Sequence, residues 1–438
     1  MNLPGPFHKL TQSPLVRGGL TLIFGVLTGN ALGFVRVAIT AYLLGVDSRA
    51  DALAVAMGPL DSLNAVLINS FVFAFVPMLT AREGPGRTAL LRQLSRCFAL
   101  VSAIISAAVI VSAPWLMRAL APGLDPLYFD TAVANLRIFA LSTTATGVGA
   151  IQCALLYTQR RFAPTAFYQA ALNVSMIVCA LALWKFAGIY AFAIGYTAGS
   201  WLQLAIVWFA ARRGLEPADP SEPVPGWQEV LLKPAFFMVY AATLGLNIVV
   251  TRAYATHAGP GMAAALDYCM KGVGVPLTLL VNPISNSLLP EIARRSVRDA
   301  LRLIDKTVAL AALAAIGGCA FALLFREPAI RLFFQRGSFT AESTRMVAAV
   351  FLGFGPSLVG WTLIEITARS LFAMNRPWPP VIAAALPVLL NVAISARLRG
   401  APPEWLGAGS SIGVFAGFLL LFALLHAARK RWSNVSAR

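Results

Sequence analysis

The sequence predicts an all-α integral membrane protein: about twelve transmembrane helices in two six-helix halves related by a parallel internal repeat. Three observations carry this. Hydrophobic residues make up 58% of the 438-residue chain and charged residues only 12%, whereas a soluble globular protein carries about 25% charge, so a water-facing surface of this size could not be covered. Apolar runs able to cross a bilayer, which takes about 20 residues, recur roughly every 36 residues. Prolines and basic residues also recur at a nearly constant offset between the two halves of the chain.

Taken in order, apolar runs between Gly, Pro and charged breaks place spans at about 15–45, 51–79, 94–120, 131–157, 162–185 and 187–211. A second set falls at about 231–256, 261–290, 306–334, 344–373, 378–398 and 404–428. The first run follows Lys9 and Arg17 and is too long and interrupted for a cleaved signal peptide, so it reads as a helix that stays. Between the sets lies the longest polar stretch, rich in proline, marking residues 212–230 as a linker between a bundle at 1–211 and another at 231–438.

Basic residues orient the spans, because lysine and arginine are retained on the cytoplasmic side. With both termini inside, 21 of the 35 basic residues fall in cytoplasmic segments, 10 outside and four within helices. The outer group includes Arg252 and the four arginines of the 326–345 connection. The net charge of +17 thus reflects orientation, and nucleic acid is not implied as a partner. Cys97, Cys153, Cys179, Cys269 and Cys319 are scattered through apolar segments and His8, His257 and His426 are dispersed, so no metal site or redox motif is expected.

The halves match at an offset of 213 to 218. Pro77 before MetLeuThrAlaArg matches Pro290 before GluIleAlaArgArg; Pro114 matches Pro328; Arg161 with Pro164 matches Arg376 with Pro379; LeuAsnVal recurs at 172 and 390. Ordered matches at equivalent helix ends point to duplication. Six spans per half make the copies enter from the same side, as in transporters with parallel repeats, where substrate sits between the halves.

Ionisable residues within spans are costly and so mark a pathway. Arg36, Asp61 and Lys271 lie eight to ten residues from the outer ends of the first, second and eighth spans. At 1.5 Å per residue that is a shared depth of roughly 12–15 Å. The expectation is a net cationic cavity open to an anionic group, with mutual neutralisation of Arg36 and Asp61 as the plainer reading. Asp267 with Lys271 and Glu365 with Arg369 are spaced for local i, i+4 ion pairs, although Glu365 could instead hold a coupling ion. Asp51 sits where N-capping and dipole compensation suffice to explain it. Asn30, Asn64, Asn69, Asn173, Asn282, Asn286 and Asn391 are amides at membrane depth, suited to interhelical bonds or to substrate. Gly58 and Pro59 in the second span, and Gly272, Gly274, Pro276 and Pro283 in the eighth, mark these two as bending, site-lining elements.

LeuGlyPheValArg at 32–36, AspAla at 51–52, PheValPro at 75–77, AlaProTrp at 113–115 with AlaProGly at 121–123, LeuAsnValSerMetIle at 172–177 and GlyXxxPheThrAlaGlu at 337–342 together resemble the MviN/MurJ lipid II flippases. These belong to the multidrug/oligosaccharidyl-lipid/polysaccharide exporter superfamily. The resemblance implies a V-shaped pair of six-helix bundles that exposes an undecaprenyl-diphosphate-linked muropeptide from the inner to the outer leaflet of a bacterial inner membrane, with cavity arginines receiving the diphosphate. It assigns Arg36 to the cavity, Asp51 to the acid of the second helix, and Lys271 to the place of an arginine in the eighth, where Met270 replaces a preceding acid. An arginine pair usual in the second helix is replaced by AspSerLeuAsnAla at 61–65, and a terminal pair of helices common in the family is not found. Lysine is a point charge without arginine's fork, so a related lipid-linked saccharide stands as an alternative substrate.

The expected partners are therefore a lipid-linked saccharide and membrane lipids, for a monomer with no cofactor, driven by a coupling ion or the membrane potential. A drug antiporter would need a carboxylate-dominated cavity, against the cationic excess at this depth. A membrane-embedded transferase would gather acid, base or metal-ligating residues at one face in long polar loops, and the sequence shows no such cluster.

Overall fold

A computed structural model describes residues 14–213, 215–217, 225–232, 235–274, 277, 292, 296–374 and 376–435. Lys9, Lys233, Pro276, Asn282, Pro283, Asn286, Pro290, Arg294, Arg295 and residues 218–224 of the linker lie outside them, as does the Asn69 side chain. The described residues are helical throughout, without strands. In order they form α1 (Pro14–Leu44), α2 (Ser48–Thr80), α3 (Gly84–Leu120), α4 (Pro126–Ala140), α5 (Ser142–Thr158), α6 (Phe162–Ala166), α7 (Tyr168–Ala187), α8 (Tyr190–Arg212) and α9 (Trp227–Leu232). Then follow α10 (Ala235–Ala258), α11 (262–274), α12 (Val297–Leu324), α13 (Arg326–Phe334), α14 (Ala341–Phe354), α15 (Ser357–Ala373), α16 (Trp378–Arg397), a 3₁₀ turn (Pro403–Trp405) and α17 (Ala408–Val435).

Among the described residues ten helices are long and apolar enough to span a membrane, and eleven if the bent pair α14–α15 is one span. The predicted eighth span begins as α11 and its continuation falls outside the described residues. Large apolar side chains such as Phe186, Leu313 and Leu324 are exposed, as expected where lipid tails replace water as the surrounding solvent.

Local chemistry explains the breaks. The predicted span at 344–373 bends by 44° between α14 and α15, where Pro356 follows Gly355 and cannot supply a helical N–H. The predicted span at 306–334 stops at Leu324, and Pro328 falls in the first turn of the short α13, where a missing N–H costs nothing. α14 opens with a capping box: the Thr340 side chain accepts from the Ser343 N–H at 3.2 Å, and the Thr340 N–H donates to Ser343 Oγ at 3.3 Å.

The chain divides into two compact units. The first comprises Met1–Ile39, Ala56–Leu116 and Thr131–Met238; the second comprises Thr40–Val55, Met117–Asp130 and Val239–Arg438. In the first, Phe71, Phe75 and Phe98 interlock at ring-centroid distances of 4.2 to 5.8 Å amid Leu90, Leu94, Ile151 and Leu155. There α8 packs against both α5 and α7. Gly195 permits the second approach, since a Cβ there would sit 2.8 Å from the Met176 Cα, the small-residue contact that membrane helices use. In the second unit α17 packs against α15 and α16, and α12 against α15, around Ile304, Ile364, Leu371 and Leu421.

One buried bond appears in both units. Asn173 Nδ2 donates to the Gly29 carbonyl at 3.0 Å in the first, and Asn391 Nδ2 to the Asn247 carbonyl at 2.9 Å in the second, each spanning 144 residues. Both asparagines belong to the repeated LeuAsnVal. The five cysteines are free thiols, four buried and Cys179 partly so.

Candidate functional site

In the first unit, α1 carries Arg36 and α2 carries Asp61 and Asn64. Arg36 is 6% exposed, and its Nη1 donates to the thioether sulfurs of Met57 at 3.5 Å and Met176 at 3.3 Å. Thioethers are weak acceptors, and these two contacts seat Nη1 between α2 and α7. Met57 lies one turn before Asp61 on α2, which puts Arg36 on the face of α2 that carries the acid.

Asp61 does not stand alone. Tyr196 of α8 donates its hydroxyl to Asp61 Oδ1 at 2.8 Å, and Asn64 Nδ2 donates to Tyr196 Oη at 3.2 Å and to Ser142 Oγ at 3.1 Å. The Phe139 ring meets the Tyr196 ring edge-on at 5.3 Å and fixes its plane. Sequence reasoning named Asp61 and Asn64 but missed Tyr196 and Ser142, because nothing in a local pattern says that α5 and α8 face α2 at that depth.

In the second unit, Asp51 plays a capping role on a helix other than its own. The start of α2 is capped by Asp47, whose Oδ1 accepts from the Ala50 N–H at 2.9 Å. The two oxygens of Asp51 accept instead from the Gly261 N–H at 2.6 Å and the Ala264 N–H at 2.8 Å. A carboxylate thus caps the N-terminus of α11, the helix that carries Lys271, and opposes its dipole. The close approach needs Gly261, which has φ +82 and where a Cβ would lie 2.8 Å from the Val46 carbonyl oxygen. Tyr268 of α11 donates to the Gly45 carbonyl at 2.9 Å. Its ring meets Phe339 of the GlyXxxPheThrAlaGlu motif at 5.4 Å, while Thr340 of that motif caps α14.

Asp267 is bonded across helices. Its Oδ1 accepts from Arg252 Nε at 2.8 Å and Nη2 at 2.7 Å, with side-chain exposures of 7% for Arg252 and 19% for Asp267. Arg252 therefore belongs to the buried interior of α10 and not to an outer loop as counted from the sequence. The signal was available: Arg252 lies six residues before the end of α10 and Asp267 five after the start of α11, so a helical hairpin brings them level. Glu365 and Arg369 form a one-turn ion pair on α15, Nε to Oε2 at 3.0 Å. Asn391 also donates to Asn247 Oδ1 and Thr251 Oγ1, each at 2.9 Å, and accepts from Ser395 at 2.9 Å. Among the described residues no group of three or more His, Cys, Asp or Glu side chains could hold a metal ion.

Ten apolar helices among the described residues, with charged side chains buried in each of two units, make this a multi-pass membrane protein, and its fold matches solved membrane transporters. A structure of a MATE family transporter of the MOP superfamily in its inward-facing conformation superposes with TM-score 0.73 at 11% identity, covering 91% of this chain and 96% of that one. A structure of lipid II flippase MurJ in its inward closed conformation superposes with TM-score 0.82 at 19% identity, covering 95% and 91%. In sequence, the chain is 26% identical over 435 residues to a probable lipid II flippase MurJ of Rhizobium meliloti (strain 1021), covering 94% of this chain and 80% of the relative. It is 29% identical over 439 residues to a lipid II flippase MurJ of Burkholderia cenocepacia, covering 93% and 83%. The family model for the lipid II flippase MurJ matches residues 40–437, so the chain belongs to that family of membrane transporters, which are not enzymes.

Proposed function

We propose that this protein moves a polyprenyl-diphosphate-linked saccharide of the lipid II type from the inner to the outer leaflet of a bacterial inner membrane by alternating access, with Arg36 and Lys271 meeting the diphosphate. The observation that carries this reading is Arg36: a guanidinium 6% exposed, its Nη1 held against two thioethers. A guanidinium is suited to bidentate phosphate binding. The bond from Asp51 to the start of α11 orients the helix that presents Lys271. Asp267, Glu365 and Arg369 serve here as structural ion pairs within the second unit.

The same reading takes the protein as a monomer with both termini cytoplasmic, built by duplication. The matching Asn173–Gly29 and Asn391–Asn247 bonds, each 144 residues apart, support the duplication. A second substrate reading, a related lipid-linked exopolysaccharide or O-antigen unit, is favoured by Lys271 standing where the family has an arginine and by Asp61 standing in the region of its arginine pair.

The test is complementation in cells depleted of their own flippase. Wild-type protein should restore lipid-linked precursor export, and Arg36→Ala or Lys271→Ala, inserted at wild-type levels, should fail. Export by both variants would refute the cationic site. Mass spectrometry of the lipid-linked saccharide that accumulates without the protein separates the two substrates.

A further inference from the structure

The second unit has a cleft of about 400 Å³ where α10 and α16 end, walled on one side by the last turn of α10 and on the other by the turn at 398–407. Tyr254 and His257 reach it from α10, and Arg399 and Trp405 from the turn. The turn is held by its own backbone: the Trp405 N–H donates to the Pro402 carbonyl and the Leu406 N–H to the Pro403 carbonyl, each at 3.0 Å. Arg399 stands 5.4 Å from the centroid of the Tyr254 ring, a contact that engages the π face and leaves the N–H donors of the guanidinium to another group. No acid lines the cleft, and among the described residues Arg399 makes no ion pair. Dipole compensation does not account for it, because Arg397 already stands in the last turn of α16 and Arg399 lies beyond that helix.

Depth identifies the ligand. α16 has 20 residues, about 30 Å at 1.5 Å per residue, which is the thickness of a bilayer's hydrocarbon core. The cleft at its end therefore lies among lipid headgroups, the level that suits Trp405, which is 55% exposed. Along the span, Ile382, Leu389 and Val392 of α16 and Leu246 of α10 turn apolar side chains outward. The Tyr254 hydroxyl donates to the Val392 carbonyl at 3.4 Å, so this exposed stripe leads up to the cleft. We propose that the cleft binds the phosphodiester of an anionic membrane phospholipid, with Arg399 and His257 donating to its oxygens and an acyl chain lying along Leu389 and Val392. Guanidinium and phosphate form charge-assisted bonds, and an imidazole donates an N–H in either charge state. This use explains why Arg399 is kept on the side that the charge count makes the poorer in basic residues. Which leaflet supplies the lipid rests on the orientation proposed above; the site itself does not.

The test is native mass spectrometry of the purified full-length protein, released from detergent after titration with palmitoyl-oleoyl-phosphatidylglycerol. Wild type should hold one phosphatidylglycerol more tightly than the rest. Arg399→Gln should weaken that binding fivefold or more, and Arg399→Gln with His257→Gln tenfold or more. Both side chains are exposed, so neither change removes core packing, and melting temperatures check that each variant is folded. Arg345→Gln, which removes an equal charge from an exposed position on α14, should leave the affinity unchanged. Glycerol 3-phosphate, the same phosphate chemistry without acyl chains, should not displace the lipid even in large excess; displacement would mark a free-phosphate site and overturn the lipid assignment. Equal affinity in wild type and the folded double variant, or an equal loss in Arg345→Gln, would overturn the proposal.

Discussion

Replacing Asp267 with leucine should destabilise the protein more than replacing Arg252 with methionine, and replacing both should restore most of the loss. Both Arg252 donors converge on one oxygen of Asp267, at 2.7 and 2.8 Å. Two unit charges about 4 Å apart attract by about 4 kcal/mol at an effective dielectric constant of 20. Much of that offsets desolvation, so the pair adds little over well-packed apolar residues, yet breaking it strands a charge at a cost of about 3–5 kcal/mol. The asymmetry follows from exposure. Stripped of Asp267, the guanidinium is left with a side chain only 7% exposed, whereas Asp267 without Arg252 keeps 19% and can hydrate in part. Asp267→Leu should therefore fall near the upper end of that range, about 5 kcal/mol, and Arg252→Met near about 3 kcal/mol. The double variant should lie within about 1 kcal/mol of wild type, a large coupling in a double-mutant cycle. Equilibrium unfolding in mixed micelles measures all four proteins. Strictly additive losses, or single variants within about 0.5 kcal/mol of wild type, would refute a buried charge pair.

Asp51→Ala should cost about 1–2 kcal/mol by uncapping α11, with Asp51→Asn losing less because one acceptor oxygen remains; thermal unfolding in detergent checks the order. Asn391→Ala should cost about 2–3 kcal/mol by leaving buried Asn247 Oδ1 without its donor, and Asn391→Leu should be no better, by the same assay. Gly195→Leu should prevent α8 from seating on α7, seen as loss of monodisperse elution, because a Cβ alone would meet the Met176 Cα at 2.8 Å. A reporter fused to the carboxy terminus should be active only in the cytoplasmic form, and the outside form would overturn the proposed orientation.

The class of the protein and most of its spans were legible along the chain because both depend on local quantities. Lipid solvation demands runs of apolar residues with internally satisfied backbones, and proline and glycine punctuate those runs wherever they sit. The bend at Pro356 and the break before Pro328 shift boundaries, yet the same chemistry explains them. Arg36, Asp51 and Asp61 were legible as residues of interest because a charge in a span is costly in any fold.

What each charge does was decided in three dimensions. The sequence places Asp51 at a helix start, but only the tertiary structure shows that Asp47 caps α2 and that Asp51 reaches over to cap α11. Spacing offered Lys271 as a partner of Asp267; the helical hairpin adds Arg252, buried in α10. Tyr196 and Ser142 carry no signal of their own, since serine and tyrosine are common in spans, and become meaningful only when α5 and α8 bring them to Asn64. Composition and periodicity determine which residues must leave water, because that free energy is summed along the chain. Which polar group meets which depends on side-chain reach of about 3 Å between helices distant in sequence, and that distance exists only once the helices have packed.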